Sequence, residues 1–120
     1  ASKFFKEGLV TYSNESKIKT LGVQSETIEK FGAVSEQTAK EMAHRVTIVS
    51  KSDIGISVTG IAGPDGGTKE KPVGLVYIGL SINGDIKVKK INLWGNRANI
   101  RRRTTTEALD FLRRELINLG

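Results

Sequence analysis

The chain has 120 residues, of which 38% are hydrophobic and 27% charged, and its formal net charge is +6 at pH 7. This length predicts one domain, 1–120, and the composition is that of a folded globular protein. The chain has no cysteine and one histidine, which excludes a disulfide framework and a cysteine- or histidine-based metal site. We therefore expect neither metal nor cofactor. No apolar run approaches the roughly 20 residues that cross a bilayer, which predicts a cytoplasmic domain without a membrane partner.

Two basic runs, KVKK at 87–90 and RRR at 101–103, carry much of the positive charge and indicate an anionic partner. In the first run the lysines alternate with Ile86 and Val88, as on an outer strand with one face in water. No aromatic residue interleaves with the basic residues in the sequence, so nucleic-acid bases would have no stacking platform. The pattern favours a phosphate-bearing small ligand, and nucleic acid stays open as a less favoured partner.

The N-terminal part of the chain predicts a strand followed by short helices. GLVTY, residues 8–12, reads as a strand, and Asn14 can cap a short helix, 15–21, that ends before Gly22. A second short helical segment, SETIEKF, follows. Strand ends of this kind are where α/β proteins usually place chemistry.

A longer amphipathic helix is predicted after Ser35, which can act as its N-cap. Apolar residues recur at three- and four-residue spacing and form one stripe: Ala39, Met42, Ala43, Val46 and Val49. The lone histidine, His44, lies off this stripe. We therefore interpret it as a surface residue and not as a catalytic base.

The second half of the chain predicts three strands. Residues 53–60 form the first, the unbroken apolar run 73–82 predicts a central strand buried on both faces, and 85–93 forms the third. Asn83-Gly84 is a strong hairpin signal, because both turn positions need positive φ.

A final helix is predicted from Arg97 or Ala98 to Leu119, with core positions that include Ile100, Leu109, Leu112, Leu116 and Leu119. Helices interleaved with strands predict an α/β fold, a three-layer α/β/α sandwich with a mixed sheet.

A glycine-rich segment, GIAGPDGGTKEKPVG, joins the first two of these strands. This glycine loop, residues 60–74, contains five of the chain's 13 glycines and both prolines, which predicts an ordered, turn-rich loop. Glycines let a backbone approach a ligand and present its N–H groups to an anion. The loop lacks the Gly-Lys-Ser/Thr ending of a Walker A motif, and a strand follows it where a helix would begin.

Four stretches together resemble, in order and spacing, the CinA C-terminal domain family, which includes nicotinamide mononucleotide deamidases: GLVTYSNESKIKTLGV, GAVSEQTAKEMA, VTGIAGPDGGTKEKPVGLVYIGL and NRANIRRRTTTEAL. The resemblance covers essentially the whole chain. It implies the α/β/α sandwich and, as reaction, hydrolysis of the carboxamide of nicotinamide mononucleotide to the acid and ammonia. It also implies that no metal takes part.

The resemblance implies that Lys17 and Tyr12 work with a nucleophilic serine. A lysine acts as a base only as the neutral amine, so its pKa must be lowered by desolvation or by nearby positive charge. Tyr12 would donate a hydrogen bond to the hydroxyl or to the leaving group. The substrate-binding residues that we predict are Ser13, Asn14, Thr59, Gly60, Gly63, Pro64, Gly66, Gly67, Arg97 and Arg101. The two arginines match a basic pair of the family and would bind the phosphate.

The serine of the family lies in a Ser-Cys-Thr-Gly-Gly turn that does not occur in residues 1–120. Ser13 belongs to the matched YSN motif and Ser16 has no counterpart, so neither replaces it. We therefore expect a fragment of a longer protein whose first strand and helix lie upstream. A non-catalytic nucleotide-binding or assembly module remains an alternative. The resemblance also suggests a homo-oligomer, a dimer. Because lysines line the outer strand, we expect the dimer to form through a surface other than that strand.

Overall fold

The computed structural model describes residues 17–119. In chain order these form a π-helical turn at Lys17–Leu21, α1 at Ser25–Phe31, α2 at Glu36–Ser50, β1 at Ile54–Gly60, β2 at Leu75–Ile82, β3 at Asp85–Asn92 and α3 at Arg97–Leu119. The strand predicted at 8–12 and the cap predicted at Asn14 lie outside the described residues. The final helix has the bounds that its sequence predicts.

The three described strands form an antiparallel sheet in the order β1-β2-β3. β2 lies in the centre, and seven of its eight residues are buried, as its apolar run predicts. Asn83 and Gly84 have φ values of 51° and 86° and form the predicted hairpin turn between β2 and β3. Both described pairings are antiparallel, whereas a mixed sheet was expected. A parallel strand is not among the described strands, so the mixed character of the sheet stays a prediction.

One face of the sheet carries small residues and packs against α2. In register along β1 and β2 they are Gly55, Ser57, Gly79 and Ser81. The hydroxyl of Ser57 donates a hydrogen bond to the carbonyl oxygen of Ala39, 2.7 Å away in α2. Because these side chains are small, the backbone of α2 comes very close to the sheet.

The N-terminus of α2 is capped as predicted. The amide of Thr38 donates to the hydroxyl oxygen of Ser35 over 3.1 Å. Ala39, Met42 and Ala43 are buried, which confirms the first three positions of the predicted apolar stripe, whereas Val46 and Val49 are partly buried. His44 is exposed as expected.

The opposite face of the sheet is apolar and packs against α3. Alternate residues of β2 supply it, namely Val76, Ile78, Leu80 and Ile82, and they contact Ala108, Leu112 and the partly buried Phe111. α2 and α3 therefore lie on opposite faces of one sheet. This arrangement is the predicted α/β fold with helices in the outer layers.

Two of the core positions predicted in α3 are wrong. Leu109 and Leu119 are 51% and 64% exposed, whereas the buried positions recur every four residues: Ile100, Thr104, Ala108 and Leu112. Residues four apart share a helix face. Thr104 is buried in that row because its hydroxyl donates to the carbonyl of Ile100, 2.7 Å away. No helix among residues 17–119 has the length and hydropathy needed to span a bilayer.

Candidate functional site

The side chain of Lys17 is buried, with 6% of its surface exposed. Burial in these surroundings lowers the pKa of its ammonium group below the usual value of 10.5. No hydrogen bond or ion pair joins this ammonium to another residue of the described part of the chain. The side chain is therefore largely removed from solvent, although a lysine is usually exposed.

The burial of Lys17 follows from the packing of its helical turn. The turn ends with the amide of Val23 bonded to the carbonyl of Lys17, 3.1 Å away. Leu21 and Val23, each 1% exposed, then pack against Met42 of α2. The carbonyl of Leu21 accepts a hydrogen bond of 2.7 Å from Nε of Arg45. Two apolar anchors and one polar contact thus hold the turn against α2.

The glycine loop folds back on itself. Its first limb, Gly60–Gly67, and its last limb, Pro72–Gly74, are joined where the amide of Gly74 donates to the carbonyl of Ile61 over 2.7 Å. The Gly63-Pro64 peptide bond is cis. The loop is therefore ordered and turn-rich, as its sequence predicts.

Three of the four glycines of the first limb are needed because the return limb or β2 lies against them. A Cβ atom on Gly63 would lie 2.6 Å from Cγ1 of Val73, and one on Gly67 would lie 2.7 Å from the amide nitrogen of Val73. A Cβ atom on Gly60 would come within 2.8 Å of Val76. By contrast, the nearest atom to a Cβ on Gly66 is 3.9 Å away. Gly66 is therefore the position of this limb with free space beside it, where a ligand could approach.

Alanine at Gly63 and at Gly66 should have different effects on stability. Both residues have positive φ, 80° and 95°, so each substitution strains the backbone by about 1 kcal/mol. Gly63→Ala also forces a contact with Val73, and we expect a total loss of about 2–3 kcal/mol in the free energy of unfolding. The measurement is urea denaturation of both variants. Equal losses would show that Val73 does not restrict position 63.

Arg97 contacts the glycine loop directly. It is the first residue of α3, and its Nη1 donates a hydrogen bond of 3.0 Å to the carbonyl oxygen of Gly63. Arg101, one turn further along, is exposed, and its guanidinium group makes no hydrogen bond or ion pair with another described residue. One of the two arginines predicted to bind phosphate thus already binds the loop backbone, and the other has all its donors available.

The start of α3 holds two features that the sequence analysis missed. The side chain of Asn96 caps the helix, since its Oδ1 accepts from the amide of Asn99 over 2.9 Å. The guanidinium carbon of Arg103 lies 5.1 Å from the centre of the Trp94 ring. A basic residue therefore does have an aromatic neighbour, contrary to the sequence pattern, because the turn before α3 brings Trp94 back against the helix.

Thr59 holds the end of β1 to the connection between α1 and α2. Its side chain is 5% exposed, and its hydroxyl donates a hydrogen bond of 2.7 Å to the carbonyl of Ala33. Its hydroxyl proton is therefore already engaged. A role of Thr59 in substrate binding stays a prediction.

The structure brings the glycine loop together with Arg97 and with the end of β1. No hydrogen bond joins Lys17 to this loop within residues 17–119, and Tyr12, Ser13 and Asn14 lie outside the described residues. That these residues and the glycine loop form one pocket stays a prediction. Across residues 17–119 there is no group of three or more His, Cys, Asp or Glu side chains that could hold a metal ion.

Comparison with known proteins identifies close relatives. A putative competence-damage inducible protein of Clostridium novyi is 60% identical over 119 residues, which are 99% of this chain and 29% of that protein. A CinA-like protein of Kosmotoga olearia is 59% identical over 98% of this chain and 29% of its own length. The chain thus spans less than a third of the length of these curated relatives.

Solved structures of similar sequence have the same fold. The competence damage-inducible protein A of Klebsiella pneumoniae is 32% identical, with a TM-score of 0.88, over 92% of this chain and 69% of that one. A competence/damage inducible protein of Agrobacterium tumefaciens is 45% identical, with a TM-score of 0.81, over 86% of this chain and 64% of that one. The sequence profile described as the CinA C-terminal domain matches residues 1–116. With nearly the whole sequence matched and the fold shared, the chain belongs to the CinA C-terminal domain family.

Proposed function

We propose that this chain is an amidase-type domain that takes part in hydrolysing the carboxamide of nicotinamide mononucleotide to nicotinate mononucleotide and ammonia. The observation that carries the proposal is the burial of Lys17, which lowers the pKa of its ammonium group. The four sequence stretches that resemble the family's deamidases support the choice of substrate. The proposal concerns the complete encoded protein, since its curated relatives are more than three times as long as the matched region.

The chemistry needs a nucleophile because a carboxamide is a poor electrophile. In the proposed reaction a serine hydroxyl attacks the amide carbon, and the neutral amine of Lys17 accepts the hydroxyl proton. That proton passes to the leaving nitrogen as the C–N bond breaks, which releases ammonia and leaves an acyl-enzyme ester. Water then attacks the ester, Lys17 accepts a proton from it, and the serine hydroxyl is restored.

A buried lysine suits this role better than an exposed one. An exposed ammonium group keeps its proton at neutral pH and cannot accept another. Desolvation disfavours the charged form and so raises the fraction of neutral amine. Tyr12, five residues earlier, is proposed as a hydrogen-bond donor to the hydroxyl or to the leaving group.

The direct test is product formation by the complete encoded protein. Incubation with nicotinamide mononucleotide should yield ammonia and nicotinate mononucleotide in equal amounts, measured by a coupled ammonia assay and by mass spectrometry. Binding of the mononucleotide without hydrolysis would favour the alternative, a non-catalytic nucleotide-binding module. Absence of both binding and hydrolysis would remove nicotinamide mononucleotide as the ligand.

Arg101 is the better of the two candidate phosphate ligands because its guanidinium group has no described partner. Arg101→Ala should raise KM for the mononucleotide about ten-fold, the value of one charge-assisted hydrogen bond, and hardly change KM for the dephosphorylated riboside. Arg102→Ala is the matched control, since Arg102 is also exposed and its guanidinium group hydrogen-bonds only with Asn99 among the described residues. Equal losses on both substrates would show that Arg101 does not bind the phosphate.

Arg97→Ala should behave differently from Arg101→Ala. Removal of the Arg97 guanidinium group also leaves the carbonyl of Gly63 without this hydrogen bond. We therefore expect both the mononucleotide and the riboside to bind less tightly. This expectation replaces the simpler one that both arginines act on the phosphate alone.

A further inference from the structure

The tip of the glycine loop, Thr68–Lys71, is a closed turn. The amide of Thr68 donates to the carbonyl of Lys71 over 2.8 Å, and the amide of Lys71 donates to the hydroxyl of Thr68 over 3.0 Å. Among the described hydrogen bonds, one side chain joins this tip to another part of the protein. The ammonium of Lys71 donates to the carbonyl oxygen of Phe31, 2.7 Å away, at the end of α1.

The acceptor of this contact belongs to a firmly held segment. Three consecutive carbonyl groups between α1 and α2 accept side-chain hydrogen bonds of 2.7–2.9 Å: Phe31 from Lys71, Gly32 from Ser35 and Thr38, and Ala33 from Thr59. The hydroxyl donors come from α2, its cap and β1. These hydrogen bonds hold the connection between α1 and α2 against the sheet and α2. The ammonium of Lys71 is therefore bound to a part of the protein that is itself held in place.

The glycine after α1 leaves room for the lysine. A Cβ atom on Gly32 would lie 2.6 Å from Nζ of Lys71, and the φ of Gly32 is 88°. The last carbonyl groups of a helix have no partner within the helix, and a lysine is a suitable donor for them. Gly32 therefore leaves space for the Lys71 ammonium, and the end of α1 supplies a carbonyl group that can accept its hydrogen bond.

We propose that Lys71 is a positioning residue for the glycine loop: by binding the carbonyl of Phe31 it holds the Gly60–Gly67 limb where this limb can contact the nucleotide. The middle of the same limb is held by Arg97 at the carbonyl of Gly63. The glycine loop is thus attached to α3 at this limb and to α1 at its tip. The role in substrate binding rests on the proposed function, whereas the contact itself does not.

Hydrogen exchange of the complete encoded protein tests the contact without any assay of activity. In Lys71→Met, the amides of Thr68 and of position 71, which donate hydrogen bonds within the tip, should exchange at least about five-fold faster, since a hydrogen bond from a charged donor is lost. Lys69→Met is the matched control. Lys69 lies in the same tip, is exposed and makes no described hydrogen bond or ion pair. Lys71→Arg keeps a cationic donor and should restore at least half of the lost protection.

Kinetics then test the positioning role. Lys71→Met should raise KM for nicotinamide mononucleotide about five-fold and leave kcat nearly unchanged, because the loop contacts substrate while Lys17 is unaffected. Lys69→Met should change neither constant.

Equal exchange rates in Lys71→Met and Lys69→Met would overturn the proposal. Faster exchange with an unchanged KM would overturn the positioning role. A wild-type protein that lacks deamidase activity would refute the proposed function, and the exchange data would still decide the contact.

Discussion

Replacing Lys17 with methionine should lower the rate of nicotinamide mononucleotide hydrolysis at least about a hundred-fold in the complete encoded protein. General-base catalysis contributes on the order of 10²–10⁴-fold, and methionine fills a similar volume but accepts no proton. Ammonia release is the measurement. Lys40→Met, at an exposed position of α2, is the control and should keep full activity. Retention of more than about a tenth of the wild-type rate would contradict the role of Lys17 as the base.

The same substitution should stabilise the fold at neutral pH, because wild type buries an amine whose charged form is poorly solvated. The pKa of Lys17 is lowered from 10.5 in the folded state. Between the lowered value and 10.5 the unfolded chain binds more protons than the folded one, so wild-type stability rises with pH across that interval. The advantage of Lys17→Met is therefore largest below the folded pKa and shrinks as the pH approaches 10.5. Thermal melts at several pH values between 7 and 10 provide the comparison, and a constant difference would contradict the assigned pKa direction.

Gly79→Ala should be among the most destabilising single changes in the described part of the chain, with a loss of about 3 kcal/mol in the free energy of unfolding. Gly79 lies in the central strand under α2. A methyl group there would overlap the carbonyl oxygen of Ala39 and would lie 2.5 Å from the hydroxyl oxygen of Ser57. Both atoms are held by the hydrogen bond between these two residues. Urea denaturation gives the change in stability.

Ser81→Ala is the matched control for Gly79→Ala. Ser81 lies two residues along the same strand and on the same face, is 1% exposed, and its hydroxyl has no hydrogen-bond partner in the described part of the protein. Removal of an unsatisfied buried hydroxyl should leave stability unchanged or raise it by up to about 1 kcal/mol. A Gly79→Ala variant as stable as Ser81→Ala would show that α2 can move away from the sheet at little cost.

Features that depend on neighbours along the chain could be predicted from the sequence. The cap at Ser35, the Asn83-Gly84 turn and the bounds of α3 each follow from local backbone requirements, and the structure confirms them. The length of the apolar run likewise determined that β2 is the central strand. The ordered motifs pointed to the family because their residues and spacing are readable without coordinates.

Which side chains are buried, and which polar groups form hydrogen bonds with each other, depends on the packing of elements that are distant in the sequence. Leu109 is exposed although it is apolar, because the helix row that faces the sheet is set by Ile100 and Ala108. Lys17 is buried because Leu21 and Val23 anchor its turn to α2. Arg97 and Lys71 bind backbone carbonyls 34 and 40 residues away in sequence. Carbonyl acceptors occur at every residue, so no sequence pattern marks the ones that folding brings within reach of a particular cation.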